Sequence, residues 1–172
     1  MAGNDASNQL TIYVENTGPG MCCLFLSLEG ILHFLCESSG DVLAVDEDCA
    51  VASVCQGGGM PSGAVFDRHG VLYVADPGHG AVVTLNSESK QQVVVRAYED
   101  HPLKGPSSIT CDHEGNLYFT DSGPVGETGL HNPRGSLYAI VRGRNGGGQL
   151  LRPIALECLA YPCGVAVASD GR

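Results

Sequence analysis

One phrase is repeated along this chain, and the repeat constrains the fold more than any other feature. The stretch from Pro61 to Asp76 reads PSGAVFDRHGVLYVAD, and the stretch from Pro106 to Asp121 reads PSSITCDHEGNLYFTD. A fainter copy begins at Met21, and a fourth begins at Pro162. The starts are 40, 45 and 56 residues apart. Self-similarity at such a period predicts a repeat architecture.

Each copy predicts the same hairpin and two further strands. The apolar run Ala64–Phe66 leads into a polar hinge from Asp67 to Gly70, and the strand Val71–Ala75 follows. Asp accepts hydrogen bonds from backbone amides at the start of a turn, and Gly tolerates a positive φ at its end. Third strands are predicted at 40–45, 80–85 and 135–140, and fourth strands at 51–54, 93–95 and 149–151. Four antiparallel strands per unit of roughly 40 to 50 residues predict a β-propeller blade.

The repeat therefore predicts an all-β fold, a partial β-propeller in a single domain over residues 10–172. Its units are expected at about 21–60, 61–105 and 106–161, and residues 162–172 supply only the first strand of a fourth, Val165–Val167. A flexible tail is predicted at 1–9, and Leu10–Val14 fits the outer strand of a last blade. Six blades need about 270 residues. We expect either a truncated piece of a longer propeller or partial propellers that self-associate, because open sheet edges are avoided.

Composition excludes several classes of function. The chain contains 24 Gly and no Trp, and 43% of its residues are hydrophobic, but no segment approaches the ~18 apolar residues of a membrane span. The net charge of -10 argues against nucleic acid and favours simple solubility. The polar N-terminus lacks the basic and apolar regions of a signal peptide, so we expect an intracellular, cytoplasmic protein. Its eight Cys could form disulfides, but this location favours reduced thiols.

The repeated phrases carry a resemblance to known propellers. The stretch Pro61–Asp76 resembles an NHL repeat, and Gly115–Ser122 is similar to strictosidine synthase-like and gluconolactonase-like six-bladed propellers. The last stretch, 162–172, reads PCGVAVASDGR and resembles the gluconolactonase-group signature PNGIAFSPDGR. The resemblance covers most of residues 21–172 and implies a six-bladed fold.

The gluconolactonase-like resemblance also implies calcium on the propeller axis, held by an early Glu, two Asn at later blade starts and a downstream Asp. Here Cys163 occupies the signature Asn position, and Pro106–Ser108 stands where another Asn is expected. The stretch 18–23 contains no acid, and the downstream Asp would follow Arg172. Thiols do not suit calcium. We therefore expect no metal and no cofactor, with calcium kept as the alternative.

Candidate binding residues lie at strand ends and in one insertion. Asp76 and Asp121 end equivalent strands, where they could face a central channel or simply form turns. His79 follows at a loop tip, as a candidate acid or base. The third unit carries an insertion, Ser122–Arg134, where the second unit has only Pro77–Gly80. It predicts a recognition loop, or else a tolerated length change. Its polar candidates are Glu127, His131 and Arg134.

The functional prediction is a non-catalytic interaction module that binds a protein partner, or forms a subunit of a larger assembly. The alternative is a calcium-dependent lactonase or esterase-like enzyme, or a strictosidine synthase-like enzyme, completed by C-terminal blades that this sequence does not contain. Strictosidine synthase-like members need a catalytic Glu on such a late blade. A degraded product without activity is the third hypothesis.

Overall fold

The computed structural model describes residue 14 and residues 19–143 and 148–168, and every regular element in them is a β-strand. The predicted tail at 1–9, most of the predicted strand Leu10–Val14 and the hinge Ser169–Gly171 lie outside the described residues. Nothing in the described part of the chain forms a helix with the length and apolarity that a membrane span requires.

Three four-stranded antiparallel sheets, which we call blades 1, 2 and 3, follow one another along the chain, each with its strands in sequence order. Blade 1 contains β1 (Met21–Leu26), β2 (Leu32–Cys36), β3 (Asp41–Val45) and β4 (Val51–Gln56). Blade 2 contains β5 (Gly63–Phe66), β6 (Leu72–Asp76), β7 (Ala81–Leu85) and β8 (Gln91–Val95). A two-stranded hairpin follows, β9 (Ala97–Tyr98) and β10 (His101–Pro102). Blade 3 contains β11 (Pro106–Cys111), β12 (Leu117–Asp121), β13 (Gly135–Arg142) and β14 (Gln149–Leu159).

The prediction of an all-β fold with three blades is confirmed, with three differences. The hairpin of β9 and β10 was not predicted, and β14 extends to Leu159 whereas only Gln149–Leu151 was expected. The strand predicted at Val165–Val167 is not formed in the described residues. A strand requires a ladder partner, and the predicted partner would follow residue 168. The segment still lies beside blade 3, because Val165 N donates to Ser108 Oγ at 3.3 Å.

Aspartate residues build the first hairpin turn of blades 2 and 3. Asp67 Oδ1 accepts hydrogen bonds from His69 N at 2.8 Å and Val71 N at 3.0 Å, and Gly70 follows with a φ of 77°. Asp112 Oδ1 does the same in blade 3. The predicted combination of Asp and Gly therefore forms these turns. In addition, Arg142 at the end of β13 donates to Asp67 Oδ2 at 3.1 Å, which joins blade 3 to a turn of blade 2.

The hydrophobic core lies between neighbouring blades. All five residues of β6 are buried, because blade 2 has a neighbour on each side. One cluster joins blades 1 and 2 around Leu35 and Val74, and another joins blades 2 and 3 around Tyr73 and Phe119. Apolar surface that is buried between the blades stabilises the fold by ~25 cal/mol for each Å² removed from water. The inner strands thus provide a rigid support for the loops.

The antiparallel order sends alternate connections to opposite edges of the sheets. One edge, the hairpin face, carries the turns between the first and second and between the third and fourth strands of each blade. The other edge, the loop face, carries the connections between blades and those between second and third strands. The insertion between β12 and β13 therefore lies on the loop face, together with the β6–β7 turn and the connections 57–62 and 96–105.

Candidate functional site

Two buried aspartates connect the strands to the loop face. Asp76, at the end of β6, is 1% exposed, and its Oδ1 accepts hydrogen bonds from Met60 N at 3.0 Å and His79 N at 3.2 Å. Asp121, at the end of β12, accepts at Oδ1 from Lys104 N at 2.9 Å and Gly105 N at 2.5 Å. Each carboxylate thus fixes the connection that enters its own blade. The bond from His79 N makes Asp76 part of the turn that follows β6, whereas the amides bonded to Asp121 lie 16 and 17 positions earlier, in the connection between blades.

Burial affects the titration of Asp121. Desolvation raises its pKa above the usual 3.8, and the amide hydrogen bonds from Lys104 and Gly105 oppose that rise. In blade 1 the equivalent position is Cys36, whose Sγ lies 3.5 Å from Pro19 O and 3.3 Å from Ser38 Oγ. The Ser38 hydroxyl is the main cause that lowers the pKa of this thiol. The strand-end position therefore holds a polar group in all three blades.

His79 forms a pair with Asp76 on the loop face. Its Nδ1 lies 2.6 Å from Asp76 Oδ2, and its side chain is 39% exposed. Because the carboxylate accepts the Nδ1 hydrogen, Nε2 is left to accept or exchange a proton. Gly59 permits this arrangement, since a side chain there would overlap the Asp76 carboxylate and the His79 ring. The two predicted residues, Asp76 and His79, are thus brought together.

The second residue of each copy has a small side chain, and in the third and fourth copies it stands where the resemblance implies a calcium-binding Asn. These residues are Cys22, Ser62, Ser107 and Cys163. Ser62 Oγ lies 3.3 Å from Ser107 Oγ, and Cys22 Sγ donates to Pro61 O at 3.4 Å. Burial raises the pKa of Cys22 to about 11, so this thiol is protonated at neutral pH.

This donor set does not fit the calcium that the resemblance implies. Calcium takes six to eight oxygen ligands and commonly needs carboxylates, whereas the two implied Asn positions hold a neutral hydroxyl at Ser107 and a thiol at Cys163. Within residues 14, 19–143 and 148–168, no three His, Cys, Asp or Glu side chains form a group that could hold a metal ion. All eight Cys lie in the described part, and none is disulfide-bonded there.

The insertion Ser122–Arg134 is a structured loop. The amides of Glu127 and Thr128 both donate to Pro124 O at 3.2 Å. Asn132 Nδ2 donates to Glu127 O at 2.8 Å, and Arg134 Nε donates to Asn132 Oδ1 at 3.3 Å. These bonds span the loop from one end to the other, so its backbone has a defined shape.

The same loop presents apolar side chains to solvent. Val125 is 84% exposed and Leu130 is 87% exposed. The predicted polar candidates Glu127, His131 and Arg134 are also exposed on this loop. Sequence reasoning selected those charged residues and missed the two aliphatic ones. A signal was present, because Val125 and Leu130 fall outside the alternating pattern of any strand and lie in a segment rich in Gly and Pro.

A cavity of about 160 Å³ lies at the base of the loop. Asp121 and Ser136, which pair across β12 and β13 beside the loop, line it together with Tyr98, Tyr138 and Glu157. Burial is the main cause that raises the pKa of both tyrosines. The cavity therefore combines a buried tyrosine, Tyr138, and a half-buried one, Tyr98, with carboxylates.

Lys104 and Glu157 form an ion pair at this cavity. The hydrogen bond and charge of Lys104 hold the pKa of Glu157 below its usual 4.5, and the charge of Arg134 acts in the same direction. Sequence reasoning missed Lys104, Tyr138 and Glu157. They come from a connection and from two strands, and no spacing in the sequence joins them.

Comparison with known proteins gives relatives of one fold. No known family model matches the chain. It is 26% identical over 152 residues to diisopropyl-fluorophosphatase of Loligo vulgaris, a match that covers 79% of this chain and 46% of the relative. It is 30% identical over 121 residues to protein strictosidine synthase-like 3 of Arabidopsis thaliana, which covers 66% of this chain and 30% of the relative. The chain thus spans less than half the length of these two curated relatives.

Solved structures agree on the fold. A gluconolactonase from Xanthomonas campestris matches with a TM-score of 0.67 and 18% identity, over 79% of this chain and 47% of its own. Virginiamycin B lyase from Staphylococcus aureus matches with a TM-score of 0.65 and 14% identity, over 92% and 49%. A chain of a nidogen/laminin complex matches with a TM-score of 0.66 and 17% identity, over 87% and 53%. The propeller architecture predicted from the repeat is therefore confirmed.

Proposed function

We propose that this chain, whose relatives and structural neighbours include strictosidine synthase-like and gluconolactonase proteins, acts as a protein-binding module. In this proposal a protein partner docks on the loop face, and the structured loop Ser122–Arg134 is the main contact. The module needs no calcium. It presents its binding surface on a rigid set of blades.

One observation carries the proposal: the loop holds Val125 and Leu130 outward, at 84% and 87% exposure, on a hydrogen-bonded backbone. Exposed apolar side chains on an ordered loop are typical of contact residues, because burying them against a partner recovers ~1.5–3 kcal/mol each. The loop hydrogen bonds also reduce the entropy that binding would otherwise cost. In this proposal the blades hold the loop in place, and the loop supplies the contact residues.

The charge around the loop favours a basic partner. The chain carries a net charge of -10, and the cavity at the loop base is lined by Asp121, Glu99 and Glu157 against Lys104 as the main cation. Charge complementarity of this kind speeds association and selects partners. A protein of the same fold is part of the nidogen/laminin complex, which supports protein binding as a use for this architecture.

Site-specific crosslinking tests the proposal. A photoreactive amino acid at position 130 is expected to capture a partner that is not captured from position 68, since Arg68 is exposed on the hairpin face. With the purified partner, Leu130→Ser should weaken binding at least tenfold. Val93→Ser, which alters a 49% exposed valine on β8, should leave the affinity unchanged. Equal capture from both positions, or an unchanged affinity for Leu130→Ser, would refute the proposal.

A second candidate function is an enzyme of lactonase, esterase or strictosidine synthase-like type. The names of the curated relatives support it, and so does the Asp76–His79 pair, whose exposed imidazole could accept a proton from a substrate or water. The test is hydrolysis of a panel of lactones and aryl esters without added metal. Activity that is lost in His79→Asn and retained in the exposed-surface variant His113→Asn would favour the enzyme over the binding module.

A further inference from the structure

A larger cavity lies on the hairpin side, between blades 1 and 2 and away from the loop face. Its volume is about 530 Å³, and its walls include Val42, Cys55, Phe66 and Leu85. Gly70 and Asn86, from two turns of the hairpin face, also line it. Ligand pockets typically measure ~300–1,000 Å³ and combine apolar walls with a few polar groups. The cavity has the size and lining of such a pocket.

The polar group of most interest in this wall is the imidazole of His33, on β2. His33 is 5% exposed, and its Nδ1 lies 2.9 Å from Ile31 O. A carbonyl oxygen can only accept, so Nδ1 carries the hydrogen and the neutral ring has its lone pair on Nε2. No hydrogen bond from a described residue reaches Nε2. A residue more than nine-tenths buried therefore lacks a partner for one of its two nitrogens.

Aromatic neighbours fix the position of this ring. Phe25 stacks on His33 with a centroid distance of 5.5 Å, and Phe66 meets it edge-on at 5.2 Å. His33 and Phe66 also line a second cavity of about 210 Å³, so the imidazole forms part of the wall of both spaces. A ring held in this way presents its free nitrogen in one direction without a further loss of side-chain entropy.

The histidine is a departure from the repeat. The equivalent position is Tyr73 in blade 2 and Tyr118 in blade 3, where the Tyr118 hydroxyl donates to Asp112 Oδ2 at 3.1 Å. Blade 1 has a shorter ring there, and its first turn begins with Ser27 in place of the aspartate. Blade 1 thus replaces a hydrogen-bond donor by an acceptor, next to a space that a tyrosine would narrow.

We propose that this cavity binds a small phenol, a neutral aromatic molecule whose single hydroxyl donates to His33 Nε2 while its ring packs against Phe66 and the aliphatic wall. The hydroxyl would supply the hydrogen-bond donor to His33 Nε2 that no described residue provides. The ring would cover apolar surface between the blades. This site is independent of the protein-binding role proposed above.

The test is a titration of the full chain with 4-ethylphenol and, separately, 4-ethylanisole, followed by ¹H–¹⁵N NMR that includes the imidazole signals. The two probes share a ring and differ in the hydroxyl hydrogen. We expect 4-ethylphenol to shift the His33 resonances and saturate, and 4-ethylanisole to bind at least tenfold more weakly. Equal affinities, or the absence of saturable binding by 4-ethylphenol, would overturn the proposal. This comparison uses the unaltered chain and depends on no variant.

Two variants make the assignment residue-specific. His33→Tyr installs the residue of the other two blades, so the fold should be retained, and phenol binding should fall at least tenfold. His113→Tyr makes the same change at an exposed turn of blade 3 and should leave binding unchanged. Binding by a folded His33→Tyr variant as tight as that of the original chain would contradict the role assigned to this imidazole.

Discussion

Removal of the Asp121 carboxylate should destabilise the fold and uncouple one connection from blade 3. In Asp121→Ala, Lys104 N and Gly105 N lose their acceptor, and Gly105 is buried, so water cannot readily replace the lost bond. Two hydrogen bonds to a charged acceptor contribute ~1.5–3 kcal/mol each. The desolvation that raises the Asp121 pKa is relieved at the same time and offsets part of that loss. We therefore expect a net decrease of about 2–3 kcal/mol in the free energy of unfolding.

The assay is urea unfolding at pH 7 followed by circular dichroism. Asp48→Ala removes an exposed acid from a turn of blade 1 whose side chain makes no hydrogen bond to a described residue, and should change the free energy of unfolding by less than ~0.5 kcal/mol. The reasoning is refuted if Asp121→Ala is as mild as this control. Asp121→Asn keeps one oxygen for Gly105 N and should fall between the two.

The same residue predicts a dependence on pH. Burial raises the pKa of Asp121 in the folded chain above the 3.8 of an ordinary aspartate, so the folded state holds this proton more tightly than the unfolded state. Its contribution to stability is therefore largest below 3.8 and decreases as pH rises from 3.8 through the raised folded value. That decrease should be absent from the difference curve of Asp121→Ala. A difference curve in which stability instead rises over this window would show that the amide bonds outweigh burial.

Three further outcomes are expected. Gly59→Ala should lower the free energy of unfolding by at least ~2 kcal/mol, because Gly59 has a φ of +69° and a methyl group there would overlap the Asp76 carboxylate. Gly126→Ala, at a φ of +80° with open space around it, should lower it by ~1 kcal/mol, and chemical unfolding measures both. Lys104→Met should raise the pKa of Glu157 toward 4.5 in an NMR titration, and an unchanged pKa would contradict the ion pair. Calcium at millimolar concentration should not raise the thermal midpoint, since an ion that binds only the folded chain must raise it.

The turns and blades could be predicted because the information for them is local. Asp67 and Gly70 close one turn through bonds to residues two and four positions away, and a reader of the sequence can recognise that spacing. The extension of β14 was missed because its sequence alternates weakly and its pairing with β13 decides its length. The strands β9 and β10 have only two residues each, and such short strands show no periodic pattern in the sequence.

The sites were harder to predict, for a different reason. Asp76 and His79 are three residues apart, and their association could be anticipated from that spacing. Lys104 and Glu157 are separated by 53 positions, and only the stacking of strands brings them together. The cavity beside His33 lies between blades 1 and 2, so its shape depends on how the two blades pack together. A single copy of the repeat does not determine that packing. The substitution of histidine for the repeated tyrosine was visible in the sequence, but its consequence was not.

The bond between Arg142 and Asp67 completes the first turn of blade 2 at a later stage than the bonds that close it. The turn itself closes through neighbouring amides, whereas the arginine arrives from 75 positions later in the chain. During synthesis the turn of blade 2 must therefore exist for a time with its second carboxylate oxygen in water, until blade 3 emerges and docks. Hydrogen exchange at the His69 and Val71 amides would consequently report when the third blade detaches, even though neither amide belongs to it.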